Sequence, residues 1–86
     1  MRYKKRMQQK LTEAFAPVFL DIIDESEAHR GHGGYQEGGE THFKIVIKAE
    51  AFNGMSRVAQ QRAVMAAVKL ELEERVHALA LEVSGV

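Results

Sequence analysis

With 86 residues, 45% of them hydrophobic, and no cysteine, the chain has material for one modest core and no disulfide to reinforce it. Twelve basic residues balance twelve acidic ones, so no net field draws the whole molecule to nucleic acid or to an anionic membrane. No apolar run approaches the roughly 20 residues of a membrane span, and the basic N-terminus lacks the apolar stretch of a secretory signal, which makes the cytoplasm the expected compartment.

The charges are nevertheless segregated. The first 16 residues hold five basic against one acidic residue, a charge of +4, and the remainder holds seven basic against eleven acidic, a charge of −4. Within the basic segment, Tyr3, Met7, Leu11, Ala14 and Phe15 recur at the spacing of one helical face. The pattern predicts an amphipathic helix over about 2–15 that stops before Pro17, because proline biases its predecessor out of the α region. Val18 to Ile23, rich in branched and aromatic side chains, reads as a short strand. Five glycines (Gly31, Gly33, Gly34, Gly38 and Gly39) then crowd into residues 30–40 and predict a flexible loop.

Residues 42–48 alternate cleanly and form the best strand in the chain. Phe43, Ile45 and Ile47 are expected in the core, with Lys44 and Lys48 outside and His42 sharing their water-facing side. Asn53-Gly54 makes a turn, and Ser56 is placed to cap a second helix marked by Val58, Val64, Met65, Val68 and Leu72, running to about Glu74. A third strand over 75–83 puts His77, Leu79, Leu81 and Val83 on one face and Ala78 and Ala80 on the other. The expected fold is a single α/β domain over 1–86, ordered helix, strand, strand, helix, strand, with a three-stranded mixed sheet packed against helices. The first two strands pair antiparallel across the long loop. The second helix has the length of a crossover, so the second and third strands run parallel with the usual right-handed connection.

That topology bears on the histidines. Parallel strands start at the same edge, His42 and His77 lie near their strand starts, and the loop carrying His29 and His32 leads into the second strand. All four imidazoles are therefore expected at one end of the sheet, and imidazole is a common ligand for zinc, copper, nickel and iron. Taken singly, each is more simply a hydrogen-bonded surface or half-buried ring. His29-x-x-His32 is a weak metal signal without an accompanying HExxH or CxxC.

Catalysis is poorly supported. Ser26, Glu25 and His29 include the residue types of a hydrolytic triad, but no strained nucleophile elbow surrounds the serine. Asp24 and Glu25 are adjacent on a strand and point to opposite faces. Nucleic-acid binding has more behind it. Arg57, Arg62 and Lys69 follow the turn and suit phosphate contacts, while Glu71, Glu73 and Glu74 at the end of the same helix oppose that field. Gly31-His32-Gly33-Gly34 matches the GxxG clamp of KH domains in letters, but lies between strands instead of helices.

Four segments in order carry a resemblance over about residues 8–83: Asp24-Glu25-Ser26, Glu40-Thr41-His42-Phe43, Phe52-x-Gly54-x-Ser56-Arg57-Val58, and Val76-His77-Ala78-Leu79-Ala80-Leu81. Together they resemble the BolA family of small stress-response and iron–sulfur proteins. The resemblance implies a fold similar to type II KH domains. It also implies a non-enzymatic partner of a monothiol glutaredoxin, sharing a [2Fe–2S] cluster with that protein and glutathione in iron–sulfur trafficking or iron and redox regulation. His77 corresponds to the family's C-terminal-strand ligand. The loop ligand, cysteine or histidine in the family, corresponds to His29, with His32 as the alternative. The isolated chain is not expected to hold a cofactor. A DNA-binding role in stress response or cell morphology, also attributed to such proteins, would use the turn and second helix through Ser56, Arg57, Arg62 and Lys69. Gln60-Gln61-Arg62 stands where many members read Arg-His-Arg, which weakens that role. DNA and a weak homodimer remain secondary candidate partners.

Overall fold

The computed structural model describes residues 2–25, 42–76 and 78–86. The amphipathic N-terminal segment forms helix α1 over Arg2–Phe15. Its Met7 and Leu11 are completely buried, each worth about 2 kcal/mol of apolar transfer. Phe15 continues the same stripe and meets Phe52 with ring centroids 4.7 Å apart at 41°. The helix ends at Ala16, whose N–H donates to the Thr12 carbonyl at 3.0 Å. With Pro17 excluding the α region, Ala16 turns to φ 46°, a left-handed position that helices usually give to glycine.

Strands β1 (Phe19–Asp24), β2 (His42–Lys48) and β3 (Ala78–Ser84) form one sheet in the order β1-β2-β3. β1 runs antiparallel to β2, with Phe19 opposite Lys48 and Asp24 opposite Phe43. β2 runs parallel to β3, with His42 opposite Ala78 and Lys48 opposite Ser84. This is the predicted mixed sheet. Its inner face carries Ile22, Phe43, Ile45 and Ile47, all buried, against Met7 and Leu11 on one side and Val64 and Val68 on the other. On β3, half-buried Leu79, Leu81 and Val83 alternate with exposed Ala78, Ala80, Glu82 and Ser84.

Three expectations are corrected and one element is added. The second helix is two helices, α2 (Arg57–Ala67) and α3 (Lys69–Glu74), broken at Val68. The Val68 N–H divides between the carbonyls of Val64 and Met65, each at 3.3 Å, and its φ and ψ of −111° and 23° leave the helical region. Of the residues that marked this helix, Val58 and Met65 are exposed. The third strand starts at Ala78 instead of residue 75, because the N–H groups of Arg75 and Val76 both still donate to the Glu71 carbonyl. A 3-10 turn over Glu50–Phe52, unmarked by the periodicity, drives Phe52 fully into the core. Finally, His42 is 7% exposed and does not face water. It is the first residue of β2 and meets Glu25, just beyond β1, and Ala78 of β3, a local placement that alternation along one strand does not reveal.

The break at Val68 goes with a buried charge. Glu71 is completely buried and accepts from Lys10 Nζ at 2.8 and 3.0 Å, and from Arg6 Nη2 at 2.8 Å. Arg6 also donates through Nη1 to Glu74 at 2.7 Å. Hydrogen bonding to Glu74, reinforced by the charge of Glu71, raises the Arg6 guanidinium above its ordinary value. Arg6 and Lys10 of the basic helix α1 are thus paired with Glu71 and Glu74 of α3. Removing a member of a buried, hydrogen-bonded ion cluster is costly, whereas removing an exposed pair costs little. Glu71→Ala is expected to lower unfolding stability in urea by about 2–3 kcal/mol. Glu73→Ala, which loses only the exposed 3.9 Å contact with Lys69, is expected to cost under about 0.5 kcal/mol. Equal losses for the two variants would remove the clamp from this account.

Candidate functional site

One end of the sheet gathers the segments that carry the candidate ligands. The Glu25 N–H donates to the His42 carbonyl at 2.7 Å, extending the β1–β2 pairing by one step, and His42 lies opposite Ala78. The exit of β1 and the entries of β2 and β3 therefore stand side by side, spanning two strand spacings or about 10 Å. Between them lies a depression of about 250 Å³ lined by Glu25, His42, Phe43, Ala78, Leu79 and Ala80. The two alanines leave this hollow open, where larger side chains would fill it.

His29, His32 and His77 lie outside the described residues. Covalent geometry still bounds their attachment. Residue 77 is bonded to Ala78, about 3.8 Å from Cα to Cα, and residue 29 is within about 14 Å of Glu25 even at full extension. Among the described residues, no three His, Cys, Asp or Glu side chains are grouped to hold a metal ion.

The second candidate surface is less unified than its sequence suggests. Ser56 caps α2, its hydroxyl accepting from the Ala59 N–H at 3.1 Å. Arg57 and Arg62 are both exposed, but five positions on a helix turn them about 140° apart around the axis. Lys69 sits on α3 beyond the break and faces Glu73. The structure does not gather these cations into one patch. It also revises the opposing field, since Glu71 is buried against Arg6 and Lys10 and adds no exposed negative charge.

At the far end of β3 lies a larger groove of about 500 Å³, which the sequence did not signal. It is lined by Arg57, Gln60 and Gln61 of α2, by Leu81, Glu82, Val83 and Ser84 of β3, and by Val46 of β2. Its end is pinned by the Asn53 turn, where Asn53 Oδ1 accepts from the Val86 N–H at 2.8 Å. Gly85 makes this approach feasible, because a Cβ there would collide with Oδ1 of Asn53.

With the architecture defined, its relatives can be compared. A family model described as BolA-like protein matches residues 11–85. The chain belongs to the BolA-like family. A Sinorhizobium protein described only as an uncharacterized protein in the cobS 5'region is 45% identical over 83 residues, covering 95% of this chain and 89% of that one. The DNA-binding transcriptional regulator BolA of Escherichia coli K12 is 38% identical over 81 residues, covering 94% of this chain and 73% of the relative. Among solved structures, BolA1 from Arabidopsis thaliana superposes with a TM-score of 0.84 at 31% identity, over 96% of this chain and 90% of that one. The BolA-like fold thus accounts for the whole described sheet and its helices.

The Asn53 contact gives a test of how the groove end is built. Gly85→Ala is expected to displace Asn53 and cost about 1–2 kcal/mol in thermal or urea unfolding, the loss of a hydrogen bond plus local strain. In a double-mutant cycle with Asn53→Ala the penalties should be less than additive. Strict additivity would show that the two residues are not in contact.

Proposed function

We propose that this BolA-like protein is a non-enzymatic adaptor that docks with a monothiol glutaredoxin and supplies histidine nitrogens to a shared [2Fe–2S] cluster, in iron–sulfur trafficking or iron and redox regulation. One observation carries the reading: the attachment points of the two segments bearing His29, His32 and His77 share one edge of the sheet, fixed by the Glu25–His42–Ala78 alignment. The donor chemistry fits as well. The chain has no cysteine, so its own side chains offer a cluster imidazole but no thiolate. Thiolates would have to come from the partner cysteine and from glutathione. His77 is assigned as the strand ligand and His29 as the loop ligand, with His32 as the alternative. When bound, such a cluster supplies one-electron chemistry, and two imidazoles in place of two thiolates lower its negative charge and raise its potential. The chain's own contribution is to bring the attachment points of both segments to one hydrogen-bonded strand edge, and ligation requires the imidazoles to be neutral.

Mixing the protein with a monothiol glutaredoxin, glutathione, iron and sulfide, and recording visible circular dichroism, tests the assignment. His77→Ala should abolish the spectrum of the mixed complex, and His29→Ala should reduce it more than His32→Ala. Cluster capture should fall as pH drops through the ordinary imidazole range near about 6.5, because protonated nitrogen cannot ligate. Identical spectra for wild type and His77→Ala would end the ligand assignment.

A second reading rests on the similarity to the Escherichia coli relative named as a DNA-binding transcriptional regulator, together with exposed Arg57 and Arg62. DNA binding through this surface should weaken steeply with salt and be lost in Arg57→Ala/Arg62→Ala. Affinity that survives the double substitution would place any DNA contact elsewhere.

A further inference from the structure

The groove beside β3 is not used by the cluster reading, and its backbone chemistry is specific. Among the described residues β3 is an edge strand, paired only with β2. The Ser84 carbonyl accepts from the Ala49 N–H at 3.1 Å, so the peptide groups of Ser84 face β2. Because these groups alternate sides along a strand, those of Leu81 and Val83 point outward, and both residues line the groove. Nothing on β3 blunts that edge. The strand carries no proline and no lysine, and its one charge, Glu82, is engaged with Lys44 at 3.1 Å.

The opposite wall is helix α2. Arg57 is exposed there, with no carboxylate partner among the described residues, and the first turn holds no acidic residue to offset the helix dipole. The side-chain nitrogen of Gln60 already donates to the Phe52 carbonyl at 3.1 Å, which fixes this wall against the 3-10 turn. The groove thus offers a strip of backbone donors and acceptors beside Arg57, while the one acid in its lining, Glu82, is paired with Lys44.

We propose that this groove captures an extended segment of a partner protein, which adds to the outer edge of β3 as a fourth strand and sets a carboxylate against Arg57. Outward-facing N–H and C=O groups at alternate residues are what an added strand requires. A single nucleic-acid strand fits less well, since among the described residues no aromatic side chain lines the groove for base stacking and its one cation is accompanied by an acid, Glu82. A second copy fits less well too. Pairing of β3 with its counterpart would bring no free acid to Arg57, because the only acidic side chain of the strand is already engaged.

The test uses the full chain, labelled for amide NMR, without glutaredoxin or iron, so its outcome is separate from the cluster reading. The probes are capped hexapeptides of alternating threonine and valine with one glutamate, placed at each position in turn, and the matching glutamine peptides. The glutamate series is expected to shift the Leu81 and Val83 amides and slow their hydrogen exchange. Its best member should bind about five- to tenfold tighter than its glutamine counterpart. Arg57→Gln, at an exposed position, should erase that difference, and N-methylation of the peptide backbone at the edge-facing residues should abolish binding. Absence of shifts at Leu81 and Val83, or equal binding of the two series, would overturn the proposal. So would oligothymidine producing the same shifts at higher affinity, or concentration-dependent shifts at these amides in the absence of peptide.

Discussion

Parallel pairing of β2 with β3 is the constraint from which the rest of the molecule follows. Setting His42 opposite Ala78 and Lys48 opposite Ser84 gives the sheet two unlike ends. At one end the two strands begin and β1 finishes, so chain from three places in the sequence arrives at one edge. At the other end β3 finishes beside the start of α2, which opens the groove. An antiparallel arrangement would separate residue 77 from the Glu25–His42 junction by the length of a strand, about 20 Å. The crossover through α2 and α3 is what makes parallel pairing feasible, since strands running the same way need a connection that returns along the sheet.

The crossover must itself be held, and the ion cluster around Glu71 does this. A fully buried carboxylate is costly unless its charge is matched, and here two cations from α1 match it. The same residue's backbone carbonyl accepts from both Arg75 and Val76. One position therefore anchors α1 through its side chain and the exit of α3 toward β3 through its main chain. In so small a core, where Met7 and Leu11 are the fully buried residues among those described in α1, this charge cluster adds a directional contact between α1 and α3 to the apolar ones.

The strands and their pairing were legible because period-2 alternation in 42–48 and a helix-length insertion before the third strand are strong, local signals. Departures arise where tertiary partners decide. No glycine or proline marks the break at Val68, and Val68 and Leu72 continue the helical apolar spacing across it. Three residues beyond the break lies Glu71, whose burial requires Arg6 and Lys10, some 60 positions away in sequence. His42 reads as water-facing from its parity with Lys44, yet it is buried where the start of β2 meets Glu25 and Ala78. Arg57 and Arg62 read as one basic surface, and the helical angle between them separates them. The groove had no sequence signature because it depends on which edge of β3 stays unpaired, a property of strand order and not of any residue.

The two ends of β3 are coupled by geometry even though their chemistries differ. Seven residues of strand, paired to β2 along their whole length, set a fixed spacing of about 10 Å between Ala78, at the edge proposed to carry the ligands, and Leu81, where the groove begins. A contact at either end would be modest alone: the proposed imidazole ligands would need thiolates from elsewhere, and a short added strand would bury little area. A partner that reached both would turn the second contact into an intramolecular event, with effective concentration set by the fixed separation. Rigidity then serves selection. A partner whose own two contact points match that spacing gains from both, and one with either contact alone gains only a weak, reversible encounter.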